Sequence, residues 1–540
     1  MQVNAILFDV QSIQKYIFAN NKLKANVGAS YIVDRLFEDV LCKDVILKLE
    51  SGADITSWKT RRDSITSLPA SVYVAYIGGG KALILIDNDR VNIIEDIIKT
   101  FTAQVLTQYP GLKVGVTTGL VTLEKDQFKS DERQLFKQLK DNQYTLNPIL
   151  HPANTGLTTI CDYSGDTADA VVNFGDGERF VATSFIAKYN AFEAANARLK
   201  KDLFGTEDIE WVFPSKLNEL GQNKSTEKSK TGINDIAIVH IDGNNMGARF
   251  ISCNGLEERS ALSEKVATKT LESFKSLIQW IIDKYDILTK PKNLELTDKM
   301  LPIRPIIVGG DDITFVCNAR IAVQAAHFLM QELLSDNHGM SISSCAGIAV
   351  IPTSYPFFRG YQMAEQLCDS AKSKMRAYNK DNGVNESCWL DFAFLHGETA
   401  PTLEQFFANE YSSLRGNMHY GPYQVYNVHA SITKKDIFAL TKLLECTHQF
   451  NLTKEKTYKG ELLAHNKIKE LRSVLQDNQH IQDLFIEQLK KNEKILPDIV
   501  GWEGFAKQLW DEVKIGDTRE LKTPYVDAIE LMDYILPGLE

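Results

Sequence analysis

Two neighbouring acids, Asp311 and Asp312, stand between two apolar β-type runs in Ile306-Ile-Val-Gly-Gly-Asp-Asp-Ile-Thr-Phe-Val316. Carboxylates held at a rigid turn are poor core material and good ligands for a divalent cation, because Mg²⁺ takes oxygen and needs one or two carboxylates plus substrate phosphates. A third acid, Asp242, closes the apolar run Ile236–Ile241 and opens the loop Asp242-Gly-Asn-Asn-Met-Gly247. A glycine-punctuated loop between a strand and a helix turns backbone N–H groups towards a triphosphate, while Asp242 and the Gly243 carbonyl face a metal. The chemistry these residues suit is that of a metal-bound nucleoside triphosphate.

The acids must be positioned by regular elements. Gly309 and Gly310 supply a turn without Cβ crowding, and their β-branched flanks predict a hairpin with Asp311 and Asp312 at its tip. Ile236–Ile241 reads as a central buried strand. Leu271, Phe274, Leu277, Ile278, Ile281 and Tyr285 recur at helical spacing; helices over 319–335 and 362–378 and a strand over 341–351 follow. The order β, α, β-hairpin, α, β, α predicts a ferredoxin-like sheet with helices on one face, which makes residues 242 and 311 neighbours. His240, inside the strand, reads as a satisfied buried histidine.

The plan occurs twice. Asn4–Val10 reads as a strand, Ser12 as the N-cap of a helix through Phe18, and Tyr31, Ile32, Leu36, Phe37 and Val40 as one apolar helix face. Ser71–Ile77, Gly78-Gly-Gly-Lys81 and Ala82–Ile86 repeat the hairpin, with Gly80 and Lys81 in place of the two acids. A helix over 91–109 and a strand over 112–121 complete a degenerate first copy. Residues 181–199 read as an Ala-rich helix, and the polar stretch 218–234 as a linker or exposed loop. Beyond residue 401 the pattern turns helical, near 433–450, 458–477, 480–495 and 525–536, with no catalytic signature.

Length and composition set the class. A chain of 540 residues exceeds one core and predicts three or four domains. A net charge of −10 argues against a general nucleic-acid binder. Eight cysteines without a C-x-x-C pair read as buried thiols of a reducing cytoplasm. The absence of a long apolar stretch and of a signal peptide points the same way, to a cytoplasmic protein with no membrane contact.

The Asp242–Gly247 loop, the Gly309-Gly-Asp-Asp312 hairpin and the Ala371-Lys372…Asn385-Glu-Ser387 stretch together resemble a palm-type nucleotide cyclase or polymerase domain. The hairpin alone is shared with GGDEF diguanylate cyclases. Phe8-Asp-Val-Gln-Ser-Ile-Gln-Lys-Tyr-Ile-Phe18, followed by Lys22-Leu23 and Gly28-Ala-Ser30, resembles the first palm domain of the large subunit of type III CRISPR effector complexes. That resemblance covers nearly the whole chain. It implies an α+β fold of two ferredoxin-like palm domains: a degenerate one over 1–125, a mainly helical connecting region over 126–232, an active palm over 233–398 and a helical C-terminal domain over 399–540.

It also implies a nucleotidyltransferase that joins ATP into a cyclic oligo- or di-adenylate with Mg²⁺ or Mn²⁺ in antiviral defence, with RNA or protein subunits of a defence complex as partners. In that reading a 3′-hydroxyl attacks an α-phosphate in line as pyrophosphate leaves, between two metal ions. Asp242 and Asp311 bridge the ions, Asp312 is a ligand or hydroxyl activator, and the Gly243 carbonyl is a further ligand. Backbone groups of Asn244, Asn245, Met246 and Gly247, with the Gly309-Gly310 turn, contact the nucleotide, and Lys372 neutralises its phosphates. A second nucleotide would enter near Gly78–Lys81.

Three departures stand out. Asn244 occupies the family's second acidic place, the inter-palm zinc site is reduced to Cys161, and no His-Asp nuclease pair occurs, which suggests a standalone relative. A cyclic dinucleotide synthase using GTP and a non-catalytic RNA-binding scaffold subunit are the alternatives. Lys374, close to Lys372 on the same helix, competes with it for the phosphate role.

Overall fold

The computed structural model describes residues 1–145, 156, 158–174, 177–222, 234–291, 293–397, 402–427, 429–433, 436–453, 462–497, 509–515 and 518–539. The chain packs as two compact units. The first comprises Met1–Ile209, Asn245–Leu271 and Ile306–Asp311, the second Glu210–Asn244, Glu272–Pro305 and Asp312–Glu540.

In the first unit, β1 (Gln2–Gln11), the hairpin β2 (Val72–Gly78) and β3 (Lys81–Ile86), and β4 (Lys113–Thr122) form an antiparallel sheet of order β2-β3-β1-β4. Val3, Ala5 and Leu7 point to one face, where they pack with Leu83, Leu85 and Val121. Phe8 points to the other, against Phe37 and Phe101. This alternation is the period of a strand buried on both sides. The hairpin turn is Gly79-Gly80, with φ of 57° and 73°, a left-handed pair that glycine adopts without strain.

The sheet is closed by the helix Lys125–Thr145, which the sequence reading left in the connecting region. That helix is highly polar and buries a narrow stripe, Phe128, Glu132, Leu135 and Leu139, interrupted by a charged residue, so its amphipathicity is easily missed. Ser12 precedes the short helix Ile13–Ile17, but at φ 52° and without a side-chain hydrogen bond to it, so it does not act as the expected cap.

The region expected to be mainly helical also contains a hairpin, β5 (Ala170–Asn173) and β6 (Glu178–Val181). The expected helix over 181–199 is two helices, Thr183–Asn190 and Phe192–Phe204. Cys161 lies in the small core of Val181, Ala182 and Phe185, a packing role for the residue read as the remnant of a zinc site. Of the expected polar loop 218–234, residues 223–233 lie outside the described residues.

The second palm is built on a six-stranded sheet of order β12-β11-β10-β7-β9-β8. Its strands are β7 (Asp235–Gly243), β8 (Ile303–Gly309), β9 (Asp312–Asn318), β10 (Ser344–Pro352), β11 (Cys388–Phe394) and β12 (Tyr423–Val425). β9 and β10 flank β7 antiparallel, and β11 runs parallel to β10 after the long helix Phe357–Asn382 crosses over. Both palms therefore share one core topology, β2-β3-β1-β4 and β8-β9-β7-β10, and the expected pair of ferredoxin-like palms is present. β11 and β12 extend the second sheet beyond the six elements read from sequence.

Gly347 of β10 allows the long helix to lie close on the sheet, because a Cβ there would collide with the backbone of Ala364 and Cys368. The C-terminal part is helical as expected, over Leu440–Leu452, His465–Gln476, Gln479–Lys491 and Tyr525–Leu531. It also carries an unexpected hairpin, β13 (Asp511–Ile515) and β14 (Thr518–Lys522). Among the described residues, no helix is long and apolar enough to cross a membrane.

A buried charged network joins this C-terminal part to the sheet. The His419 imidazole sits between Asp391 of β11 (Nε2···Oδ1 2.8 Å) and Asp527 of the last helix (Nδ1···Oδ1 2.9 Å). Asp391 also accepts from Ser370 Oγ on the long helix (2.7 Å) and Asp527 from the Tyr420 amide (2.8 Å) and the Tyr423 hydroxyl. Burial pulls the imidazole pKa down, but the two carboxylates raise it further, to about 10. His419 is thus an imidazolium at neutral pH. Removing one member of such a network leaves uncompensated buried charge, so His419→Leu should destabilise the second unit by about 3–5 kcal/mol in urea unfolding. Because the folded pKa lies above the unfolded value, the wild-type contribution should be complete below about pH 6.5 and fade as pH rises through about 10.

Candidate functional site

The register of β7 and β9 decides which acids meet. Asp242 pairs directly with Asp312, and two residues earlier on the same face His240 pairs with Thr314. Directly opposed residues on one face of an antiparallel pair have Cβ atoms roughly 4.5–5.5 Å apart. The two carboxylates, each about a third exposed, therefore lie side by side at the strand ends. The expected bridging partner of Asp242 was Asp311. The hairpin turn uses Gly310 and Asp311, so the ladder places Asp312 across from Asp242 instead.

Two like charges at this spacing call for a counter-charge, and the long helix provides it: Lys372 Nζ donates to Asp242 Oδ2. Burial lowers the ammonium pKa, but the hydrogen bond and charge of Asp242 more than offset it and the net shift is upward. Lys374 turns away, its Nζ 3.8 Å from the Phe438 ring centroid, which separates the two lysines that the sequence could not tell apart.

Beneath the acids, His240 is buried, with Nδ1 3.0 Å from Thr314 Oγ1 and 3.4 Å from Asp312 Oδ1. Burial pushes its pKa down to about 4, so the ring is neutral at pH 7, as expected of a core histidine. Tyr361 of the long helix meets it edge-on.

The loop after β7 departs from expectation at Asn244. Its amide N–H donates to the Ser343 carbonyl (2.8 Å) and its side-chain Nδ2 to the Ser387 carbonyl (3.1 Å), and the residue is only 3% exposed. Neither donor is available to a phosphate. A carboxylate at this position would set an acceptor against the Ser387 carbonyl acceptor. Gly243, buried, ends β7 opposite Ser344.

The remaining loop and turn residues are counted with the first unit. Asn245, exposed at φ 58°, precedes the helix Met246–Ser252, in which Met246 is buried and Gly247 exposed. Gly309 ends β8, Gly310 has φ 59°, and Thr270 Oγ1 donates to the Gly310 carbonyl (2.6 Å). Asp311 follows in the turn, half-buried.

Asp242 and Asp312 suit a divalent cation: both offer carboxylate oxygens from one strand end, and the Lys372 ammonium already marks a cationic position on Asp242. Mg²⁺ commonly completes such a pair with water and phosphate oxygens. Among the described residues, no group of three or more His, Cys, Asp or Glu side chains that could hold a metal ion is found.

Glu365 and Asp369, missed in the sequence, stand two turns and one turn before Lys372 on the same helix. Burial and the Asp369 charge raise the Glu365 pKa, opposed by Lys372. Their i, i+4, i+7 spacing was the available signal. Asn244→Asp should lose about 1–3 kcal/mol of stability in chemical unfolding through the Ser387 contact, rather than gain a metal ligand.

Comparison with known proteins places this geometry. Residues 235–382, from the first residue of β7 to the last of the long helix, match the family model of the Cas10/Cmr2 second palm domain. No curated protein matches the chain. Among solved structures, Csm1 of T. onnurineus aligns at 14% identity and a TM-score of 0.49, over 99% of this chain and 69% of its own. A Csm1–Csm4 cassette in complex with cA3 aligns at 12% identity and 0.49, over 99% and 70%. The cassette in complex with cA4 aligns at 12% and 0.45, over 98% and 70%. The strand order and the family match agree on a second palm domain of the Cas10/Cmr2 type over residues 235–382.

Proposed function

We propose that the second palm is a divalent-metal-dependent nucleotidyltransferase that joins ATP into a cyclic oligo- or di-adenylate, releasing pyrophosphate, as part of CRISPR-type antiviral defence. The observation that supports this reading is the direct pairing of Asp242 with Asp312 at the end of a Cas10/Cmr2-type palm. Asp242 and Asp312 would hold Mg²⁺ or Mn²⁺, with Asp311 beside them on the turn. When bound, the ion supplies Lewis-acid stabilisation of charge on the phosphates.

The chain's own residues do the rest. A 3′-hydroxyl oxygen forms a bond to the α-phosphorus, the bond from that phosphorus to the α,β-bridging oxygen breaks, and pyrophosphate departs with that oxygen. In this reading the hydroxyl proton passes to a carboxylate at the strand end, and Asp312 is the acid proposed for it. Lys372, held by Asp242 before substrate arrives, has a long side chain that can turn its charge to the phosphates. Asn245, Met246 and Gly247 are left as the loop's phosphate contacts once Asn244 is committed. Neutral His240 and Thr314 form a dry floor that fixes Asp312 without adding charge.

RNA or other protein subunits of a defence complex are the partners this reading implies. A reducing cytoplasm suits the eight free cysteines, seven of them buried.

Incubating the purified chain with each NTP and Mg²⁺ or Mn²⁺, with products read by mass spectrometry, should give cyclic adenylate from ATP. Consumption of GTP instead would mark the cyclic dinucleotide alternative. Asp242→Asn with Asp312→Asn should lower product at least ~10²-fold while leaving the far-UV circular dichroism unchanged, since oriented charge stabilisation commonly contributes that much. Absence of product with every NTP, together with co-purified RNA retained by that double variant, would favour the scaffold reading.

A further inference from the structure

The two palms carry the same strand-end site with its charges permuted. Asp9 of β1 pairs across the ladder with Lys81, the first residue of β3, as Asp242 of β7 pairs with Asp312, the first residue of β9. In both hairpins a two-residue turn precedes that position, Gly79-Gly80 in one and Gly310-Asp311 in the other. In both palms the closing helix sends one side chain to the strand-end acid. Gln143 Nε2 donates to Asp9 Oδ2 (3.0 Å), and Lys372 Nζ donates to Asp242 Oδ2. Gly115, the β4 neighbour of Asp9, leaves the path open, since a Cβ there would lie 2.8 Å from Gln143 Nε2. Asp9 was not among the residues singled out in the sequence; only the ladder shows its equivalence to Asp242.

Each site thus sets one lysine on its strand-end aspartate, but from opposite sources. In the second palm the lysine comes from the helix, and the hairpin contributes a second acid. In the first palm the hairpin contributes the lysine, with Lys81 Nζ 3.3 Å from Asp9 Oδ1, and the helix contributes a neutral amide.

We infer that Lys81 is a built-in counter-ion standing where a divalent cation would bind, so that the first palm excludes metal. A dication beside Asp9 would meet one carboxylate already neutralised and an ammonium on the adjoining strand. The second palm also carries a lysine on its strand-end acid, but there a second carboxylate, Asp312, stands across the ladder; in the first palm Lys81 takes that place and leaves Asp9 as the one acid of the ladder pair. Lys81 lies at the first position of its strand, beside the turn, and also reaches the Gly79 carbonyl (3.3 Å), so its charge stays at the site. The inference concerns cation binding alone and stands or falls independently of the proposed catalysis.

The test uses the full chain carrying Asp242→Asn and Asp312→Asn, which removes the second palm's pair, and follows Mn²⁺ by electron paramagnetic resonance. In this background no bound Mn²⁺ should depend on Asp9. Adding Lys81→Asp should create one Mn²⁺ site per chain, and adding Asp9→Asn should abolish it again. Circular dichroism checks that the variants fold. Should Lys81→Asp not fold, Lys81→Gln removes the ammonium without adding charge and should give weak Mn²⁺ binding that Asp9→Asn abolishes. An Mn²⁺ ion lost on Asp9→Asn while Lys81 is intact would overturn the inference. So would the absence of any gain in the folded Lys81 variant.

Discussion

Two carboxylates forced side by side by a strand ladder are the constraint around which the second palm is arranged. The pairing of Asp242 with Asp312 follows from backbone register, so neither acid can move away without breaking the sheet. Their repulsion must be met by a cation, and Lys372 meets it on one side. A protein that needed only stability would place apolar or oppositely charged residues there. The arrangement is what the proposed divalent-cation site requires.

The surrounding structure serves to hold these two acids in place. Gly347 brings the long helix onto β10 closely enough for Lys372 to reach Asp242 and for Tyr361 to cover His240. The same helix is tied through Ser370 to Asp391, and Asp391 through the His419 imidazolium to Asp527 in the C-terminal part. The C-terminal helices, which carry no recognisable chemistry of their own, thereby help to fix the helix that bears Lys372. The first palm repeats the scaffold without the paired acids: its strand-end carboxylate is balanced by Lys81, and its closing helix offers Gln143 where the second offers a lysine.

Much of this was legible in the sequence because it is carried by local signals. Apolar runs broken by glycine gave the hairpins, and the order of elements gave two ferredoxin-like palms. What could not be read was set by register and side-chain direction. Counting along the chain cannot say whether Asp311 or Asp312 faces Asp242, because the answer depends on how many residues the turn consumes. Nor could it show that Asn244 turns inward to Ser387, or that Asp9 is the counterpart of Asp242, since both depend on long-range contacts. The helix Lys125–Thr145 was overlooked as a palm element because three apolar residues are enough to dock it. The His419 network was invisible for a related reason: its members lie on distant segments that only the fold brings together.

The central claim, that the Asp242–Asp312 pair is a cation seat which Lys372 holds until nucleotide arrives, is most directly tested by anomalous diffraction from crystals of the full chain grown with Mn²⁺ and a non-hydrolysable ATP analogue. The account predicts an Mn²⁺ peak within coordination distance of both carboxylates, with the Lys372 ammonium moved from Asp242 to the phosphates. Nucleotide bound with the Lys372–Asp242 pair intact and no Mn²⁺ at these two acids would contradict it.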